Sequence, residues 1–140
     1  MSSLNWSRIF LGGLAAGLVM NIIDWFTNGV LLQNQWMQEM QTLKPGMATA
    51  ETGMIGWIIV DFLLGIVLVW LYAAIRPRFG AGAGTAVRAG IALWVVATAI
   101  SASLAFMGLY SASLVAASCL GGLVSTLVGA WVGGYLYREA

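Results

Sequence analysis

Residues 89–137 read AGIALWVVATAISASLAFMGLYSASLVAASCLGGLVSTLVGAWVGGYLY, without a single charged side chain. A helix needs about 20 apolar residues to cross roughly 30 Å of hydrocarbon. The stretch therefore holds two membrane spans, with Gly108, Tyr110, Ser111 and Ser113 supplying the turn between them. Outward from this run, two more apolar segments complete a set of four spans, at about 8–32, 54–75, 85–107 and 111–137. The expected fold is all-α: a four-transmembrane-helix bundle, with residues 1–140 forming one integral membrane domain.

Composition excludes most alternatives. Of the 140 residues, 61% are hydrophobic and only 8% charged, against about 25% charged in soluble domains. A net charge of +1 argues against a nucleic-acid partner. Histidine is absent, which removes bis-His haem, His-containing zinc sites and a histidine general base. Cys119 stands alone in an apolar segment, so an intrachain disulfide and a multi-thiolate metal site are both excluded. No catalytic residue, metal ligand or cofactor is expected, and the chain reads as a non-enzyme. Any proton chemistry falls to carboxylates.

The basic residues set orientation. Arg8, Arg76, Arg78, Arg88 and Arg138 fall on one side of the four spans and Lys44 on the other. By the positive-inside rule both termini are cytoplasmic. The first span begins like a signal peptide, but Asn21, Asp24 and Asn28 suit an uncleaved anchor. The external stretch, about 33–53, carries Leu32, Trp36, Met40 and Leu43 at helical spacing, which predicts a short interfacial helix ended by Lys44-Pro45-Gly46. On the other side the second span is expected to stop at Pro77, with Gly82 and Gly84 reversing the chain. Arg76, Arg78 and Arg88 are candidate contacts for anionic lipid headgroups.

Two acids stand out. Asp24 and Asp61 lie inside spans that hold no compensating cation, and a charge at the centre of a bilayer costs about 2.5–3.5 kcal/mol even on lenient insertion scales. Gly13, Gly17, Asn21, Asp24 and Asn28 share one helical face, as do Trp57, Asp61, Gly65, Leu68 and Tyr72 in the second span. The third span offers Gly90, Trp94, Thr98 and Ser101, and the fourth a small-residue stripe of Ser118, Gly122, Ser125, Gly129 and Gly133. Counted from the nearest arginine at about 1.5 Å per residue, Asp24, Asp61, Ser101 and Ser125 all lie roughly 20–24 Å in. One intramembrane polar cluster is expected: Asp24, Asp61, Asn21, Asn28, Ser101 and Ser125. It would serve to bind a proton or cation, or else only to hold helices together. The tryptophans mostly suit an aromatic belt at the membrane surfaces.

The segment Leu64-Gly65-Ile66-Val67-Leu68-Val69-Trp70-Leu71-Tyr72-Ala73-Ala74-Ile75-Arg76-Pro77-Arg78-Phe79-Gly80 resembles a recurring stretch of small four-span bacterial integral membrane proteins of unassigned activity. The opening run Leu11-Gly12-Gly13-Leu14-Ala15-Ala16-Gly17, with Asn21, Asp24, Trp25 and Asn28 after it, is similar to theirs too. The resemblance implies a bacterial plasma (inner) membrane and brings no activity. The leading expectation is a structural or accessory component, in a homo-oligomer or a larger membrane complex and in contact with membrane lipid. The alternative is a small proton- or cation-coupled carrier using Asp24 and Asp61.

Overall fold

A computed structural model describes residues 3–46 and 51–139. Among these the regular structure is all helical. Helix α1 (Trp6–Asp24) runs into a π-helical segment, Trp25–Leu31, and is followed by a short α2 (Gln33–Leu43). Then come α3 (Glu51–Phe79), α4 (Ala83–Phe106) and α5 (Ala112–Leu136). Four stretches are long and apolar enough to cross a membrane: Trp6–Leu31, Gly53–Phe79, Ala83–Phe106 and Ala112–Leu136. The chain thus has the make-up of a multi-pass membrane protein. Part of the 33–53 stretch, residues 47–50, lies outside the described residues.

The ends of the helices follow from local chemistry. Asn5 caps α1, its side-chain oxygen accepting from Arg8 N at 3.1 Å, and Ser111 caps α5 by accepting from Leu114 N at 3.3 Å. At the end of α4, Gly108 takes φ 72° while its N–H reaches Ala105 O and the Leu109 N–H reaches Leu104 O. That pair of bonds is the Schellman closure, which needs a left-handed residue. Helix α3 corrects one expectation. It passes through Pro77 and ends at Phe79, because a proline in the last turn removes a single helical bond, and Gly80 (φ 80°) is the true stop. The Gly80 N–H still closes on Arg76 O at 2.8 Å.

Glycine faces set how the spans pack. A Cβ on Gly13 would lie 2.5 Å from Ile66 Cα, one on Gly17 2.7 Å from Phe62 Cα, and one on Gly65 2.5 Å from Gly17 N. Helices α1 and α3 therefore cross in antiparallel register with their backbones nearly touching. Helix α5 packs against α1, α3 and α4. Gly12 meets Gly133, and Gly129 meets Met20, along the α1–α5 seam, while Gly90 meets the Thr126 carbonyl along the α4–α5 seam. Helix α4 sits on α5 and α3 and shares no packed face with α1. Ile9, Ala16, Met20, Leu68, Val69, Ala89 and Ala130 fill the core between these seams.

The expected inward faces are buried at their centres and half-buried at Asn21, Asp24, Asn28, Trp94, Thr98, Ser101, Ser118 and Gly122. Gly13, Gly17, Asp61, Gly65, Leu68, Tyr72, Ser125, Gly129 and Gly133 are all buried. Trp57 instead points outward at 70% exposure, because α3 reaches beyond its crossing with α1 at that end.

Candidate functional site: an intramembrane carboxyl pair

Asp24 closes α1, and Asp61 lies on α3 one turn from Gly65, where the two backbones come closest. That approach carries the acids together. The Asp24 carboxyl has the Ser125 hydroxyl and the Asp61 carboxyl as hydrogen-bonding neighbours, and Asp61 has Asp24. Asp61 is 6% exposed and Ser125 fully buried. A hydrogen bond between two carboxyls exists only while one of them carries a proton, since an ionised carboxylate has no donor. Ser125 Oγ also lies 3.5 Å from the Met20 carbonyl, so α5 forms the third wall.

The other expected members divide between this centre and its margins. Asn21 turns its amide to the Gly17 carbonyl at 3.0 Å and the Ile58 carbonyl at 3.3 Å, tying α1 to α3 one turn before Asp24. Asn28 donates from Nδ2 to the Asp24 carbonyl at 3.2 Å. Its Oδ1 accepts from Trp36 Nε1 at 3.0 Å and from Ser118 Oγ at 2.8 Å. Ser101, half-buried on α4, makes no side-chain hydrogen bond among the described residues. Counting from Arg88 misplaces it, because Arg88 lies more than a turn inside α4 whereas Arg138 lies beyond α5. Gly90 packs on Thr126 and Trp94 Nε1 reaches Cys119 O, which leaves Ser101 near the α4–α5 turn and away from Ser125, and α4 does not pack on α1.

The chain between Asp24 and Asn28 is not α-helical. From Trp25 to Leu31 it forms a π-helix, with the Leu32 N–H reaching back five residues to Thr27 O at 2.9 Å. Such wide turns are uncommon and recur at functional sites. Thr27 packs directly against Gly121, where no side chain would fit.

A second network lies at the α2 end, and sequence reading did not anticipate it. Glu39 Oε2 accepts from Ser111 N at 2.8 Å and Oε1 from Ser111 Oγ at 2.5 Å. Gln35 Nε2 lies 3.3 Å from Glu39 Oε1, Ser111 Oγ and Ser113 Oγ. The Trp36 ring meets Tyr110 edge-on at 5.1 Å. Glu39 therefore sits on the amide end of α5, where a negative charge is favoured. These bonds hold its carboxyl below the ordinary value of 4.5, the Ser111 hydroxyl contributing most and the Ser111 amide next.

At the opposite end the three candidate lipid-contact arginines part company. Arg76 is folded inward, its guanidinium 5.7 Å from the Tyr72 ring and 5.3 Å from the Tyr137 ring, with Glu139 at 3.7 Å. The two rings meet edge-on at 6.1 Å. Tyr137 Oη accepts from Asn5 N and Tyr72 Oη from Gly82 N, so this knot joins both ends of the described chain to the α3–α4 turn. Arg78 and Arg88 stay exposed, at 6.0 and 5.0 Å from the Phe79 ring.

The grooves are small. One, of about 90 Å³, is lined by Tyr72, Ala86, Trp131 and Tyr135, well below the ~300 Å³ at which ligand pockets begin. Comparison with protein-family models, with curated proteins and with solved structures finds no match to this chain.

Proposed function

We propose that this chain is a multi-pass integral membrane protein in which Asp24 and Asp61 together take up and release a proton. The observation that carries the reading is the contact of two carboxyls from different spans inside an apolar bundle, with a serine hydroxyl beside them. A proton suits the site better than a bulky solute, because it needs no cavity. A small cation held by the same oxygens is the variant of this reading in which the pair empties of protons as it fills. Uptake is a simple addition: one carboxylate oxygen gains a proton from hydronium, leaving water, and the new O–H donates to the other carboxyl.

The arginine-bearing end is cytoplasmic in this proposal, supported by five arginines at one end and Lys44 at the other. Helix α2 then lies along the outer surface, and Arg78 and Arg88 meet anionic lipid headgroups. The plasma membrane of a bacterium is the location that the sequence resemblance supports. To test the reading, the protein is reconstituted in vesicles and proton uptake after a pH jump is followed with an entrapped pH dye. Uptake by the wild type that disappears in Asp61→Asn and Asp24→Asn, with folding intact, supports it; equal uptake in the double variant overturns it.

One observation favours a second reading, that of an accessory component in a homo-oligomer or a larger membrane complex. Helix α4 is peripheral, and Val87, Ile91, Val95, Val96 and Ile100 all face outward. Sizing of the particle extracted in mild detergent tests it, and a lone monomer in every extraction would count against it.

A further inference from the structure

We propose that α2 is a lid over the carboxyl pair, held shut by the Glu39 carboxylate seated on the first turn of α5. What the lid gates rests on the proton-carrying reading above; how it is held does not.

Hydrogen bonds run from the lid to the backbone beside the acids, ending where Asn28 Nδ2 donates to the Asp24 main-chain carbonyl. Asp24 and Asn28 are successive polar positions on the α1 side of the α1–α5 seam. Beyond Asn28 the seam is closed by Trp36, whose indole N–H occupies Asn28 Oδ1 together with Ser118 Oγ. In the proposal, a proton or water arriving from the α2 end passes this layer. Trp36 belongs to α2, and α2 is held over the bundle by side chains on one face: Gln35, Trp36 and Glu39, at spacings of one and four residues. Glu39 supplies the charged bonds of the set, to the backbone amide and hydroxyl of Ser111. Charge-assisted bonds of this kind are roughly twice as strong as neutral ones. No intervening residue blocks access to the latch itself, since Glu39 also lines an open groove of about 280 Å³ with Thr42, Leu43, Leu109 and Tyr110.

The rest of the latch is neutral. The α4–α5 turn and the start of α5 carry no charged side chain, and Tyr110 is the titratable group they supply. Lys44, one turn after Met40 on α2, is the nearest cation in sequence. Loss of the Glu39 charge is therefore not made good by a neighbour. The hinge is Leu32, where the helix breaks at φ −104° and ψ 4° between the π-helical segment and α2.

The test uses the full chain in detergent or bilayer, with Cys119→Ala as background and Ser118→Cys as the reporter. Half-buried Ser118 shares the Asn28 Oδ1 acceptor with the Trp36 indole, so a water-soluble maleimide should reach it faster when α2 lifts. Labelling is expected to be slow with Glu39 present and at least about tenfold faster in Glu39→Gln, the loss of one to two charge-assisted bonds. Equal rates would overturn the lid. Amide hydrogen exchange over residues 33–43 follows the same opening without the reporter: exchange should quicken in Glu39→Gln, and unchanged exchange overturns the proposal. Proton uptake read in parallel separates the two ideas. Faster labelling without any uptake in the wild type keeps the lid and removes the carboxyl function; uptake lost in Asp61→Asn with labelling indifferent to Glu39 does the reverse.

Discussion

Replacing Gly65 by alanine tests the packing that brings the two acids together. A methyl group there would sit against the Gly13 carbonyl and 2.5 Å from Gly17 N, where ordinary contact begins at 3.4 Å. Both obstacles are backbone, so no side chain can rotate away, and α1 and α3 must part by close to an ångström. A gap of that size forfeits a quarter to a half of the dispersion energy of the atoms it separates. Overpacking of this kind costs about 1–3 kcal/mol. Alanine also favours the helix over glycine by ~1 kcal/mol, and this gain must be removed from the comparison. Gly56 supplies the control: it lies on the same helix with open space around its Cα. The stability difference between Gly65→Ala and Gly56→Ala is then the overpacking alone, about 1–3 kcal/mol, or roughly 5- to 150-fold in the unfolding equilibrium. Titration with SDS from a mild-detergent micelle, followed by circular dichroism, measures it. Equal midpoints for the two variants would show that α1 and α3 do not cross at Gly65.

Three further outcomes follow from the same contacts. Arg76→Ala should lower stability by about 1–2 kcal/mol in the same titration, since the guanidinium sits beside the Tyr72 and Tyr137 rings and Glu139; Arg76→Lys should recover only part, because an ammonium lacks the flat face. Gly108→Ala should cost about 1–2 kcal/mol, since its φ of 72° closes α4 in a region that L-residues avoid. The α2 contact should be insensitive to pH at neutrality. Because the folded state lowers the Glu39 pKa, its stabilisation is complete above the ordinary value of 4.5 and is lost as pH falls through the lowered one. Hydrogen exchange of residues 33–43 should therefore show protection, corrected for intrinsic rates, that is flat from pH 7 to about 5 and falls in stronger acid, with the acid dependence absent in Glu39→Gln.

Much of the fold was legible because it depends on one-dimensional signals. Absence of charge over residues 89–137 fixed two spans, and the interval pattern of Gly13, Gly17 and Asp24 fixed which face of α1 turns inward. A common level was legible for Asp24, Asp61 and Ser125, which the α1–α3 and α1–α5 seams bring together. The place of Ser101 was not: Arg88, the residue it is counted from, lies inside α4, so Ser101 falls near the α4–α5 turn, and α4 does not pack on α1. Local rules also misled where two competed. Pro77 signals a stop, but a proline in the final turn is tolerated and Gly80 does the terminating. The π-helix after Asp24 left only a faint trace, in the weak helix formers Thr27, Asn28 and Gly29. The Glu39–Ser111 latch was hidden because its partners are 72 residues apart. The inward fold of Arg76 was hidden similarly, since pairing Tyr72 with Tyr137 needs α3 and α5 to lie side by side in parallel.

Cross-linking by a short bis-maleimide, in a Cys119→Ala chain carrying Asp24→Cys and Asp61→Cys, puts the meeting of the two acids to the most direct trial. The two positions, offset by about one and a half turns along the α1–α3 seam, should be bridged by the short spacer rapidly and nearly completely. The pair Asp24→Cys with Ser101→Cys, on helices that do not pack together, should stay free. Linking no faster than in that control pair would contradict the account.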